Sequence, residues 1–350
     1  MGKRIAIVGA GAIGGYCGAC MVRAGEDVMF IDAWAEHVQT MRRDGLHVTC
    51  VEPGNSFHVP VVRALHISDV PQLIKEKPID VAFIAVKSYD TQWATALMLP
   101  YMAPDGVFVS LQNSINEEAI AGVAGWGRTM GCAVVGIGGE LTGAGQVARN
   151  TRIGNREHPG LSAGEVHGRI TRRLQEVVAM LDHAEPCAPT TNLWGVRWSK
   201  LVVNAAHNGV SAITGLAGND RDSDPKIIWL TTRLGSQAVR VGQALGLSLE
   251  RAHHDPETWA LAGEGDAKAL AIITEELRAM AGRRNDAQRP SMAQDIMKGR
   301  RTETDYINGL VARRGVEVGV DASLHAKVNE LVKRVERGEL KPSRDVVADL

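Results

Sequence analysis

Lys200, Asn204 and Asn208 stand at i, i+4 and i+8 in the run Trp198-Ser199-Lys200-Leu201-Val202-Val203-Asn204-Ala205-Ala206-His207-Asn208. On a helix that spacing puts all three on one face, and Leu, Val and Ala fill most positions between them. A lysine on a largely buried helix loses hydration, and its pKa falls toward neutrality. An ammonium tuned in that way can give up a proton near neutral pH. The same pattern also fits an exposed stripe on a half-buried helix that stops at Asn208-Gly209.

Two further clusters are more polar than their surroundings require. Residues 290–309 read Pro-Ser-Met-Ala-Gln-Asp-Ile-Met-Lys-Gly-Arg-Arg-Thr-Glu-Thr-Asp-Tyr-Ile-Asn-Gly. Ser291 with Gln294 fits a capping box, Thr302 with Asp305 fits helix-start chemistry, and Glu303 suits a helix N-terminus. The density of polar groups still exceeds what capping needs. The third cluster is Leu111-Gln112-Asn113-Ser114, directly after the apolar run GVFVSL, with Lys87 in the matching place after VAFIAV. In a doubly wound sheet, strand ends of this kind face the ligand.

The elements that must position these groups begin at residue 5. Ile5 to Val8 is an apolar strand that opens straight into Gly9-Ala10-Gly11-Ala12-Ile13-Gly14-Gly15. This G-x-G-x-x-G is the dinucleotide fingerprint. Gly9 permits the turn, Gly11 lets backbone approach a pyrophosphate, and Gly14 lets the next helix pack on the strand with its N-terminus toward the phosphates. A second run, Val28 to Ile31, ends in Asp32, where a carboxylate can hold a ribose 2′-hydroxyl.

Strand runs at 5–8, 28–31, 81–86, 106–111 and 130–137 alternate with helical patterns, which predicts an α/β Rossmann-type doubly wound domain with a parallel sheet. Helices are expected at about 13–24, 35–43 and 163–181, with a hairpin of 139–142 against 146–153. After residues 187–192 the chain becomes helical, at 193–208, 225–245, 255–262, 266–281, 304–314 and 321–336. The expected organisation is a dinucleotide-binding domain over 1–190, an all-α substrate domain over 191–337 and an extended or mobile arm over 338–350. A second domain in such proteins closes the cleft over the substrate.

The chain has 350 residues, 45% hydrophobic and 23% charged, with a formal net charge of −1. Near-neutral charge gives no electrostatic case for nucleic acid or an anionic membrane surface, and no apolar run approaches a membrane span. Five cysteines without framework spacing suggest reduced thiols and a cytoplasmic protein. Cys17-x-x-Cys20 lies within the first helix and is expected to serve packing. His253-His254-Asp255 lacks a third ligand at metal spacing and is expected to be a solvated loop, so no metal is expected.

These motifs together resemble the ketopantoate reductase (2-dehydropantoate 2-reductase) family. The likeness rests on GAGAIGG at 9–15, VK at 86–87, LQN at 111–113, WSKLVVN at 198–204 and, most specifically, SMAQDIMKGRRTETDYING at 291–309. It implies reduction of a 2-oxo acid to a 2-hydroxy acid by hydride from a nicotinamide. Lys200 would be the general acid, and Glu303 would bind the substrate hydroxyl and help set the state of Lys200. Asn113, Asn204, Asn208 and Ser291 would bind substrate oxygens. Cofactor contacts are expected at Gly9, Gly11, Ala12, Ile13, Gly14, Asp32, Lys87 and Asn113. Two departures stand out. The family commonly has Gly where this chain has Ser114. Many members take NADPH, whereas Asp32 repels a 2′-phosphate, so NAD(H) is expected here with NADP(H) as the alternative. An NAD-linked dehydrogenase of another 2-hydroxy acid, and a non-catalytic redox sensor, are the competing readings. The expected partner is a small 2-oxo or 2-hydroxy acid, and a homodimer is left open.

Overall fold

A computed structural model describes residues 2–281, 289–348 and 350. The chain divides into two compact units, Met1–Leu193 and Trp194–Leu350.

The first unit holds twelve described strands: β1 Arg4–Val8, β2 Asp27–Asp32, β3 Leu46–Cys50, β4 Phe57–Val59, β5 Arg63–His66, β6 Ile79–Ile84, β7 Met102–Ser110, β8 Thr129–Val134, β9 Gly139–Gly143, β10 Gln146–Arg149, β11 Leu161–Glu165 and β12 Cys187–Thr190. Its helices are α1 Ala12–Arg23, α2 Ala35–Asp44, α3 Thr91–Met98, α4 Glu117–Ala124 and α5 Arg172–Asp182. Eight strands form one sheet in the order β12-β11-β8-β7-β6-β1-β2-β5. The six from β8 to β5 are parallel, and β11 joins β8 antiparallel, so β11 and β12 run against the rest. The alternation of a strand covered on both faces is visible residue by residue. Ile5, Ile7, Phe30, Phe83 and Val109 join one core, while Ala6, Val8, Met29, Ile31, Ile84 and Phe108 join the other. Cys17 is buried within α1 in the first of these cores.

The structure departs from the sequence-based expectations in several places. A second sheet, β4-β3-β10-β9, carries the predicted hairpin and adds β3 in parallel to β10. The helix expected from 163 begins only at Arg172. Residues Leu161 to Glu165 are instead a strand on β8, and Thr171 caps α5 by accepting from the Leu174 amide at 3.2 Å. Buried Glu165 ends that strand in a 2.7 Å pair with Arg173, so the apolar residues there serve a sheet and not a helix face.

The second unit is helical: α6 Leu193–Thr214 (its first residue closing the first unit), α7 Gly218–Ser223, α8 Pro225–Ala244, α9 Pro256–Glu264, α10 Ala267–Ala281, α11 Ser291–Met297, α12 Asn308–Val318 and α13 Ser323–Glu336. No described helix is long and apolar enough to cross a membrane. Helix α6 does not stop at Asn208-Gly209. It runs six residues further to Thr214, and Gly209 within it leaves no room for a Cβ beside Val328 and Asn308. Residues 338–348 do not form the extended arm expected over 338–350. The Ser343 amide donates to the Ile213 carbonyl at 3.1 Å, a short 3-10 turn spans Arg344–Val347, Val347 is buried, and the Lys226 ammonium donates to the Ala348 carbonyl at 2.6 Å. Burying one valine and pairing one ammonium with a main-chain oxygen suffices to dock a polar tail.

Candidate active site

Chemistry in the first unit gathers at the end of β1. Gly9 has φ +98, and a Cβ there would lie 2.7 Å from the Val86 amide nitrogen. A Cβ on Gly14 would lie 2.1 Å from the Gly9 carbonyl oxygen. Both positions therefore admit glycine alone. At Gly11 the opposite holds: a Cβ would meet nothing within 4 Å. The loop leaves open space at the one glycine that should face a pyrophosphate. Helix α1 starts there with no side-chain cap and no acidic residue in its first turn. Ala12 and Ile13 are half-exposed, so the positive end of the helix dipole is available to an anion.

Asp32 ends β2 with its carboxylate held in place. One oxygen accepts from the Ala10 amide at 2.8 Å and the other from the Trp34 amide at 2.8 Å. The acid thus reaches the glycine loop itself. His37 braces the same turn: its Nε2 lies 2.9 Å from the Ala10 carbonyl, and its Nδ1 accepts from the Gly145 amide at 2.9 Å. A carboxylate, an uncapped helix N-terminus and a side-chain-free loop fit an adenine dinucleotide.

The strand ends of β6 and β7 carry Lys87 and Asn113, both half-buried. Gln112 plays a different part from the ligand contact its position suggests. Its amide donates to the Val86 carbonyl and to the Thr91 hydroxyl, each at 2.8 Å, and so ties the two strand ends together. Asn116 donates to the Asn113 carbonyl at 2.8 Å and shapes the next turn. Ser114 has φ +69, the one non-glycine residue in the left-handed region among the described residues. The turn keeps a glycine-type backbone although the residue is serine.

In the second unit α6 presents Lys200, Asn204 and Asn208 on one face. Both asparagines are buried and Lys200 is half-buried. Desolvation pushes the Lys200 ammonium down to about 8. Burial is the cause of that shift. Glu303 is itself buried, at 5% exposure, just before a 3-10 turn over Thr304–Tyr306. Its carbonyl accepts from the Tyr306 and Ile307 amides at 2.9 and 3.1 Å. The Thr302 amide donates to Glu336 of α13 at 2.6 Å, which fixes the approach to this turn. Ser291 is half-buried and opens α11. It makes no capping box: Pro290 holds the N-cap position without a side-chain bond, and Gln294 donates instead to the Arg289 carbonyl at 3.0 Å.

The polar face of α6 is longer than three residues. At 100° per residue, His207 and Ser211 fall within about 20° of Lys200. Both are buried, and the Arg221 guanidinium donates to the Ser211 hydroxyl at 3.3 Å. The same helical spacing could have found them, at i+7 and i+11. His207 packs 6.0 Å from the Trp259 ring and 6.1 Å from His253. The segment 253–255 is no solvated loop. His254 is 2% exposed, its Nδ1 lies 2.5 Å from a Glu276 oxygen, and its ring meets Trp259 edge-on at 4.6 Å. Asp255 caps α9 through the Thr258 amide at 2.9 Å. Among the described residues no cluster of metal-ligating side chains occurs.

Comparison with known proteins matches the profile of the family described as "Ketopantoate reductase PanE/ApbA" over residues 5–157 and that of its C-terminal part over residues 192–336. A 2-dehydropantoate 2-reductase from Archaeoglobus fulgidus is 27% identical over 338 residues, covering 96% of this chain and 99% of that protein. The crystal structure of 2-dehydropantoate 2-reductase from Geobacter metallireducens superposes with a TM-score of 0.77 at 26% identity, covering 95% of this chain and 99% of that one. D-mandelate dehydrogenase, solved with NADH and anilino(oxo)acetate, has the same fold with a TM-score of 0.77 at 21% identity, covering 96% of this chain and 99% of that one.

Proposed function

The chain belongs to the ketopantoate reductase family, and from that premise we propose that it reduces a 2-oxo acid to the 2-hydroxy acid, with ketopantoate as the substrate to test first and Lys200 as proton donor. The observation that carries this reading is the half-buried Lys200, whose ammonium burial tunes to about 8 on a helix face shared with Asn204 and Asn208. A pure redox sensor has no use for such a group. When bound, the nicotinamide supplies a hydride to the carbonyl carbon of the substrate. Gly9, Gly11, Ala12, Ile13 and Gly14 would hold its pyrophosphate, with Lys87 and Asn113 on the strand ends beside it. Negative charge grows on the substrate oxygen as the carbonyl is reduced, and Lys200 gives that oxygen the proton it needs. Asn204, Asn208 and Ser291 orient the substrate's oxygens, and Glu303 accepts a hydrogen bond from the hydroxyl that forms.

Asp32 supports a preference for NADH. Two backbone amides hold its carboxylate, where it accepts from a ribose 2′-hydroxyl and repels a 2′-phosphate. The five cysteines are free thiols, in keeping with a cytoplasmic enzyme. The test is the initial rate with ketopantoate under NADH and NADPH separately, followed by reduced-nicotinamide absorbance. Turnover with NADH well above NADPH supports both statements. Faster turnover with NADPH overturns the role of Asp32 alone. NADH binding without turnover on ketopantoate moves the substrate to another 2-oxo acid, and no turnover across a 2-oxo acid panel overturns the reading.

A further inference from the structure

The segment carrying Glu303 is tied to the helix carrying Lys200 by one buried chain of hydrogen bonds. Asn308 opens α12, five residues after Glu303, and is fully buried. Its side-chain amide donates to the Ala205 carbonyl of α6 at 2.8 Å. The same nitrogen lies 3.1 Å from Nδ1 of His325 on α13, itself fully buried. His325 Nε2 lies 2.9 Å from the Leu234 carbonyl of α8. A carbonyl only accepts and an amide NH2 only donates, so the network assigns His325 the neutral tautomer with its proton on Nε2. Burial pushes His325 down to about 4, which keeps that tautomer intact across ordinary working pH. Four helices thus meet through two side chains.

The chain meets α6 at a consequential place. Ala205 follows Asn204 directly, and it lies about 7.5 Å along the helix axis from Lys200 at 1.5 Å per residue. Asn308 can reach the main chain there because Gly209 has no side chain. A Cβ on Gly209 would lie 2.8 Å from Asn308 Oδ1 and 2.6 Å from a Val328 methyl. On the other side, the Glu303 carbonyl anchors the turn that delivers Asn308. Apolar packing could hold α6 against α12 at several rotations, whereas a directional bond to one carbonyl selects one.

Resting on the proposed reductase reading, we infer that Asn308 and His325 are positioning residues that fix the rotation of α6, and with it the placement of Lys200 and Asn204 relative to Glu303.

The test needs a readout that loss of stability alone would not move. The full-length protein labelled with 13Cε-lysine reports the titration of Lys200 by NMR, with its signal assigned by its disappearance in Lys200→Met. Asn308→Ala should move the Lys200 midpoint upward by at least half a pH unit as water reaches the ammonium. With a 2-oxo acid that the wild type reduces, it should also lower kcat about tenfold while the KM for NADH stays put. Val328→Ala loosens the same contact without touching the hydrogen bonds and should leave the Lys200 midpoint in place. His325→Gln, which keeps one polar contact, covers the case in which Asn308→Ala does not fold, and should move the midpoint in the same direction. An unmoved midpoint in the folded Asn308 or His325 variant overturns the inference, as does an equal movement in Val328→Ala. The NMR titration does not depend on turnover, so failure of the wild type on every 2-oxo acid overturns the reductase reading separately.

Discussion

The glycine loop after β1 and the polar face of α6, in the roles proposed for them, would work by opposite means. The loop is defined by what is missing: Gly14 cannot carry a Cβ without striking the Gly9 carbonyl at 2.1 Å, while Gly11 is left with open space. The face of α6 is defined by what is present in surroundings that disfavour it: an ammonium and two amides among valines and alanines. Sterics fix the first site, so its error tolerance is small and its failures are failures of shape. Desolvation sets the second, so its failures are failures of protonation state.

The sharpest way to break this comparison is to exchange the outcomes. Lys200→Met should lower kcat by ~10²–10⁴-fold, the usual worth of a positioned acid, and leave the NADH dissociation constant unchanged. Gly14→Ala should do the reverse in kind, weakening NADH by about 100-fold, or about 2.7 kcal/mol, through a distorted loop. Stopped-flow turnover and fluorescence titration of NADH on both variants decide the matter. If Lys200→Met loses cofactor binding in step with turnover, the division of labour between the units is wrong.

Asp32 tests whether the loop reads charge as well as shape. Asp32→Ser removes the carboxylate while keeping a hydrogen-bonding group beside the Ala10 amide. The ratio of kcat/KM for NADH over NADPH should fall by about 10–100-fold, which is about 1.4–2.7 kcal/mol. An unchanged ratio would move cofactor choice to other residues.

The α6 side of the comparison is sharpened by pH. Lys200 in the folded chain titrates at about 8 against an ordinary 10.5. Above pH 8 the proposed proton donor is lost, so the reduction rate should fall roughly tenfold per unit, and the reverse oxidation should gain. Stability carries the matching sign. Between pH 8 and 10.5 the unfolded chain binds more protons than the folded one, so stability rises with pH across that window. Lys200→Met should lack this rise in paired thermal melts at pH 7.5 and 9.5. His325 gives a second, acid window. Its folded value of about 4 lies below the ordinary 6.5, so the unfolded chain binds the extra proton and stability falls as pH drops from 6.5 toward 4.

Much of the first region was legible because each feature rests on a local rule. A strand running into glycines at fixed spacing, and a carboxylate ending the next strand, need no knowledge of distant residues. The helices of the second unit were legible from apolar periodicity in the same way. Ala163 and its neighbours were not, because a short apolar run suits a strand or a helix equally, and only pairing with β8 decides. The tail after 338 misled because a single valine anchors it. Lys200 stood out by type, but its protonation rests on desolvation by neighbours far apart in sequence. Asn308 stood in the 291–309 motif with no role of its own and His325 in none, since an Asn in a polar cluster and a His in an amphipathic helix are unremarkable until their partners on α6 and α8 are known.

The smallest effect tests whether the turn after β7 belongs with the glycine loop, where shape decides, or with α6, where side chains do. Ser114 holds φ +69 and is buried at 4% exposure. A serine in the left-handed region costs about 1–2 kcal/mol of native-state strain. Ser114→Gly relieves that strain but gives the unfolded chain about 0.5–1 kcal/mol of added freedom. The net expectation is a gain of about 0.5–1 kcal/mol and a melting temperature higher by a degree or two. If only backbone shape matters here, kcat and both KM values stay unchanged. If the serine hydroxyl serves the site, the more stable variant is the slower one, with the loss in the KM for the 2-oxo acid. A variant that melts lower would show that the contacts of the buried hydroxyl outweigh the strain of its backbone.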